Sequence, residues 1–163
     1  MTDPSDRITD AEIAAIDVQD GQKASVDHTE REPGTIAGNW GIYATPEDAT
    51  VLIDVDDYGD EPDADEQRGL EAVRELAATY TQSSPHGGTH RVYRVETDDD
   101  RPVADHLEEL FGKRNLTASW GELRASNQYI VGAGSELADC GKEWHDCSDP
   151  ETDSEYRVAE DRA

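Results

Sequence analysis

The chain has 163 residues, enough for one domain with a single core and too few for two comfortable ones. Thirty-nine acids against 14 bases give a net charge of −25, with only three lysines and 34% apolar residues. This is the profile of a salt-in halophile protein, and it excludes the usual basic footprint of a nucleic-acid binder. In molar salt, however, counterion release contributes little, so charge alone does not exclude that partner.

Residues 1–37 read as an acidic, polar lead-in, partly disordered, with one short helix at DAEIAAIDV and breakers in EREPGT. From residue 38 to the end the pattern is that of a folded domain. Trp40 to Ala44 and Thr50 to Asp56 are β-rich runs joined by a turn containing TPED, which predicts a β-hairpin. Leu70, Val73, Leu76 and Ala77 recur at helical spacing, predicting a helix from about Asp63 to Ala78 with one buried stripe, slightly weakened by Gly69. TYTQSSPHGGTHRVYRVE reads as strand, tight turn and strand. A second helix follows at PVADHLEELFG, with Pro102 in its first turn and Gly112 as its stop. TASWGELRASNQYIVGAGS predicts two strands around ASNQ, and EYRV an edge strand. The order β-β-α-β-β-α-β-β predicts an α+β fold, a mixed or antiparallel sheet with helices packed against one face. No run approaches the roughly 18 apolar residues of a membrane helix, and MTDPSDRITD lacks the basic and apolar regions of a signal peptide. A soluble cytoplasmic protein with no membrane partner is expected.

Three stretches can carry chemistry. In TVLIDVDD an extended backbone alternates its side chains, so Asp54 and Asp56 share one face, about 7 Å apart at the backbone, opposite Ile53 and Val55. Such a pair suits a hard cation, Mg²⁺ or Mn²⁺. With 22 aspartates in the chain, plain solvated acidity is the alternative. In SSPHGGTHRVYR the Gly87–Gly88 pair permits a tight turn. Ser83, Ser84, Thr89, His90 and Arg91 offer donors for a triphosphate, unless this is an ordinary hairpin with His90 half buried and His86 in solvent. In GELRASNQ, Glu122 and Arg124 share a strand face. Glu122 could add a third carboxylate, and Arg124 could meet a phosphate or merely neutralise Glu122. GAGS adds a backbone turn with a hydroxyl at Ser135.

Read in order, LIDVDDYGD, SSPHGGTHRVY and ELRASNQYIVGAGS resemble the three motifs of the prim-pol domain, the bifunctional DNA primase/polymerase branch of the archaeo-eukaryotic primase superfamily, over roughly residues 38–158. The resemblance implies a primase-polymerase core of the RRM-like type. Asp54, Asp56 and Glu122 would be metal ligands, His90 the histidine that contacts the triphosphate, and Ser84, Gly87, Gly88 and Arg124 further nucleotide-binding positions. It implies a DNA template, dNTP or NTP as substrate, and a separate helicase, in replication of a plasmid, virus or integrated element of a haloarchaeon. The chain departs from the pattern in using Glu122 where aspartate is common and Gly88 where serine is usual. Three crowded carboxylates with no lysine nearby in sequence would need their cations for stability. Arg91, Arg94, Arg101, Lys113, Arg114 and Arg124, between the second and third motifs, form the expected template face. Alternatives are a catalytically silent nucleic-acid-binding accessory module and a metal-dependent phosphoesterase.

CGKEWHDC offers Cys140, His145 and Cys147 as soft ligands for Zn²⁺. No fourth Cys or His follows, leaving Asp139, Asp146 or a distant His28 to complete the shell, or reduced thiols on a loop as the simpler account.

Overall fold

A computed structural model of the chain describes residues 13–56, 61–140, 142–149 and 154–160; Asp10 to Glu12 of the segment read as helix, and Asp57 and Asp60 of the first motif, lie outside them. Among the described residues nine strands form two antiparallel sheets, accompanied by two helices. The smaller sheet orders β1 (Ala14–Asp17), β2 (Trp40–Ala44) and β8 (Gln128–Val131). The larger orders β6 (Leu116–Ala118), β7 (Gly121–Arg124), β3 (Thr50–Val55), β5 (Thr89–Arg94), β4 (Thr81–Ser83) and β9 (Arg157–Glu160). The α+β class expected from sequence is therefore present, as two sheets instead of one.

Strand β3 sits inside the large sheet and is buried on both faces. Val51, Ile53 and Val55 pack with Leu70 and Val73 of α1 (Ala64–Glu75) and Val103 and Ala104 of α2 (Val103–Phe111). On the opposite face Leu52 joins Val92 and Tyr80 against Ala15, Trp40, Ile42, Ala44 and Ile130 of the small sheet. Helices, large sheet and small sheet thus form three layers, and β3 places its even-numbered side chains, including Asp54, between the two sheets.

Both helices form where expected, for local reasons. The Asp63 side chain caps α1 by accepting from the amides of Asp65 (3.0 Å) and Glu66 (2.9 Å), and those acids suit the positive end of the helix dipole. Gly112 stops α2 in a left-handed conformation at φ 72°, its amide donating to the Glu108 carbonyl at 2.8 Å. Pro102 occupies the cap position just before α2. Leu76 and Ala77, assigned to the buried stripe of α1, are exposed, because α1 ends at Glu75 and the chain turns extended at Leu76.

Three expectations are corrected. The DAEIAAIDV segment supplies strand β1 where a helix was expected; Ala15 and Ile16 are fully buried, and pairing with β2 satisfies the backbone of a run too short to distinguish helix from strand by periodicity. Runs β2 and β3 do not form a hairpin: β2 pairs β1 and β8, whereas β3 pairs β5 and β7. Strands β7 and β8 flank ASNQ as predicted, yet belong to different sheets. Asn127 at φ 52° and the Asn115 side chain, which accepts from the amides of Ala125 (2.8 Å) and Ser126 (3.0 Å), hold the corner between them. Strand β6 is an addition the sequence reading lacks, and β9 is the edge strand predicted from EYRV.

Two glycines permit close approaches. A Cβ on Gly69 would lie 1.9 Å from the Trp120 ring, so the residue that costs α1 some propensity makes room for an indole on the helix. Gly121, at φ 148°, lies where a Cβ would fall 1.9 Å from the Asp54 carbonyl oxygen. We expect Gly121→Ala to lose more than about 2 kcal/mol of stability, since both backbone conformation and backbone contact must yield; chemical denaturation in molar KCl measures it.

Candidate functional site

The antiparallel register puts the three sequence motifs at one level of the sheet. Asp54 on β3 lies directly opposite His90 on β5 and, on its other side, opposite Glu122 on β7. Cross-strand partners carry Cβ atoms about 4.5–5.5 Å apart, so these side chains meet on the face toward the small sheet.

Their contacts are specific. His90 Nε2 lies 3.3 Å from Asp54 Oδ1, and Arg124 Nη2 donates to Asp54 Oδ2 at 3.0 Å. Arg124 also donates to Glu122 Oε2, from Nε at 2.9 Å and from Nη2, so Glu122 reaches Asp54 through the guanidinium. Nη1 donates to the Tyr129 carbonyl at 2.6 Å. Gln82, fully buried, accepts from the Ala133 amide (3.1 Å) and the Tyr80 hydroxyl (3.3 Å) through Oε1. Its Nε2 is thereby turned toward the Val131 carbonyl and His90 Nδ1, the latter at 2.9 Å. An amide donor at Nδ1 leaves the imidazole proton on Nε2, aimed at Asp54. Tyr156 stacks on the His90 ring at 5.7 Å.

Burial opposes ionisation of Asp54, but the His90 hydrogen bond, together with the charges of Arg124 and Lys23, outweighs it and holds the carboxyl below its usual 3.8. No lysine lies near the three acids in sequence, yet Lys23, from the segment before β2, lines the same cavity. The Tyr156 hydroxyl is displaced upward, mainly by burial and then by the Asp54 charge.

These groups surround a cavity of about 260 Å³ lined by Lys23, Asp54, Asp56, Ser84, His86, His90, Arg124, Tyr156 and the strand β8. Asp56, one residue past the end of β3, lines the same cavity as Asp54. The Ser84–Gly88 turn closes through Ser84 N to Gly88 O (2.9 Å) and Gly87 N to Ser84 O (3.1 Å), with Gly87 at φ 92°. Gly88 passes so near β3 that a Cβ would lie 2.7 Å from the Val55 carbonyl. A larger cavity of about 740 Å³, by Ile13, Glu30, Arg31, Pro33 and Thr45, contains none of the predicted site residues.

As hosts for Mg²⁺ or Mn²⁺ the residues divide. A carboxylate carries about four lone-pair sites, so Asp54 keeps capacity toward the cavity that Asp56 also lines, and the two suit a single hard cation. Glu122, bonded to Arg124 through Oε2, does not line that cavity. Among the described residues one group of three or more His, Cys, Asp or Glu brings its ligand atoms within 4.8 Å of one another, and it is His86, Cys140, His145 and Cys147. The carboxylates of Asp54, Asp56 and Glu122 are not drawn together to that degree. In the His/Cys cluster, burial together with the charges of Lys23, His145 and Lys142 pushes the His86 imidazole down to about 4, and burial beside Cys140 pushes the Cys147 thiol up to about 11.

Other predicted residues have structural roles. The Ser135 hydroxyl is fully buried, accepting from the Trp40 amide and donating to the Trp40 carbonyl. Arg91 lies on the helix face of the sheet, where Nη1 donates to the Val73 carbonyl at 2.9 Å. Arg101 pairs with Asp99 and Glu109, and Arg114 with Asp105 and Glu108. The six bases between the motifs thus do not make one face, because Arg91 and Arg124 point to opposite sides of the sheet and acids already neutralise three of them. His28 bonds Asn127 at 3.1 Å, and Asp146 accepts from Ser148, so neither belongs to the cysteine cluster.

Sequence reasoning missed Gln82, Tyr156, Lys23 and the placement of His86. Gln82 was recoverable, since the turn in SSPHGG sets Gln82 opposite His90; His86 sits in that same turn, whereas Lys23 and Tyr156 arrive from distant segments with no local signal. No family model matches this chain, and no curated protein matches it.

A carboxyl whose folded-state value lies below its unfolded one adds stability that is complete above the unfolded value and vanishes as pH falls through the folded one. Asp54 therefore stabilises the fold above about pH 4 and ceases to do so below its lowered folded value. A ¹³C titration of the Asp54 carboxyl should give a midpoint under 3.8, and Asp54→Asn should flatten the acid limb of the stability curve in molar KCl.

Proposed function

We propose that the chain is a nucleotidyltransferase of the primase-polymerase type, adding nucleotides from dNTP or NTP to a 3′-hydroxyl on a nucleic-acid template. The reading is carried by one observation: residues 36 and 68 positions from Asp54, His90 and Glu122, face it across adjacent strands, and Asp54 and His90 line a cavity together with Asp56, Ser84 and Arg124. Its volume is below the roughly 300–1,000 Å³ of whole-ligand pockets, a size for the phosphate end of a nucleotide with the base outside.

In this reading the 3′-oxygen attacks the α-phosphate and pyrophosphate leaves. Asp54 and Asp56 would hold a divalent cation, which when bound polarises the phosphate and neutralises leaving-group charge. His90, with its proton kept on Nε2 by Gln82, donates to a phosphate oxygen that takes the place of Asp54 Oδ1. The Ser84 hydroxyl adds a neutral donor at the same cavity. Arg124 supplies positive charge beside the phosphates while keeping its hold on Glu122. Membrane attachment is not part of the reading; among the described residues no helix is long and apolar enough to cross a membrane.

A second reading, a silent nucleic-acid-binding module of replication, is favoured by Arg124, whose guanidinium already bonds both Asp54 and Glu122, where an active site would offer carboxylates to metal. The two separate in one assay. Labelled dNTP and NTP are supplied on primed and unprimed templates with Mn²⁺ or Mg²⁺ in molar KCl. Template-dependent incorporation with pyrophosphate release is expected, falling to background in Asp54→Ala with the fold retained by circular dichroism. DNA retardation without incorporation supports the silent module, and release of nucleoside monophosphate in place of pyrophosphate indicates phosphoester cleavage.

A further inference from the structure

Outside the aspartate cavity, the strongest concentration of ligand chemistry is the meeting of two loops. Cys140, His145 and Cys147 follow the small sheet, and His86 stands in the turn between β4 and β5. His145 Nδ1 is 3.4 Å from Cys140 Sγ and 3.2 Å from Cys147 Sγ. A tetrahedral centre with Zn–S of about 2.3 Å and Zn–N of about 2.0–2.1 Å has sulfur-to-nitrogen edges near 3.5 Å, so the loop already holds nearly that spacing. The rings of His86 and His145 meet edge to face with centroids 4.4 Å apart.

A second observation points to a ligand. His86 Nε2 is buried and has no hydrogen-bond partner. Buried polar atoms are almost always satisfied, and an orphan beside two thiols and a second imidazole is accounted for by a metal. Trp144 lies against both histidines, at 5.3 and 5.9 Å.

We propose that Cys140, Cys147, His145 and His86 bind one Zn²⁺ as a closed, structural Cys₂His₂ centre. Thiolate and imidazole donors select zinc over the oxygen-seeking Mg²⁺ and Ca²⁺, and four protein ligands leave no open position for catalysis. The centre would tie the Ser84–Gly88 turn, which borders the aspartate cavity, to the loop carrying the cysteines. The site rests on its own residues and does not depend on the nucleotidyl-transfer reading.

The full chain, purified in molar KCl with reductant and without chelator, is expected to carry one zinc per molecule by mass spectrometry of the metals. Exchange with Co²⁺ should give the visible bands of a tetrahedral ion with near-ultraviolet thiolate charge transfer. His86→Ala should weaken zinc binding, in competition with a chromogenic chelator, by more than about tenfold, because even outer-shell changes cost about 10- to 100-fold; His28→Ala should leave it unchanged. A metal-free chain that also binds no added zinc overturns the proposal. So does a Co²⁺ spectrum without thiolate charge transfer, a Cys140–Cys147 disulfide that persists in reductant, or His86→Ala binding as tightly as the parent. If the variants do not fold, the Co²⁺ spectrum of the unsubstituted chain decides. Intact metal content together with absent nucleotide incorporation would refute the enzyme reading and leave this centre standing.

Discussion

Strand β8 is an edge, and its free edge is where the two sheets are joined. Ile130 pairs with Ile42, so the carbonyls of Tyr129 and Val131 point away from the small sheet. Left alone in a partly buried place, each would cost about 1–3 kcal/mol. Arg124 takes one and Gln82 the other. These are the side chains that also hold Asp54 and orient His90, so the contact that seats one sheet on the other sets the geometry of the candidate site. Cavity and sheet junction are one polar network, and a change to either of these two residues acts on both.

The network also explains how a chain of charge −25 tolerates buried carboxylates. Asp54 is four-fifths shielded and still ionises readily, because an imidazole N–H and a guanidinium bond it and the Lys23 charge adds to them. The many other acids lie mostly at the surface, where molar salt screens them over about 3 Å. Among the described residues Arg31, Arg68, Arg101, Arg114 and Arg157 are committed to local ion pairs, and Arg124 to the cavity. Among the described residues these bases do not gather into one basic face.

The His/Cys cluster shows the same economy at a smaller scale. It joins a turn that borders the cavity to a loop with little apolar support, consisting of Val131, Leu137 and Tyr156 with the two cysteines packed alongside. Small apolar clusters contribute little by themselves, and a metal centre at that position would replace the missing core.

Much of this was legible in the residues. Helices α1 and α2, the β4–β5 hairpin, the shared face of Glu122 with Arg124, and the edge strand β9 all follow from periodicity, capping and turn chemistry, which act between near neighbours. What only the tertiary structure decided is which strands pair. The β2 and β3 runs are apolar on both faces, so alternation carries no instruction about partners, and the chain splits them between two sheets; the AAID run reads equally as helix or strand until β2 pairs with it. For the same reason Lys23 and Tyr156 came into the site unannounced. A local pattern records which way a side chain faces, whereas the packing of two sheets, a long-range and many-body balance, determines what it faces.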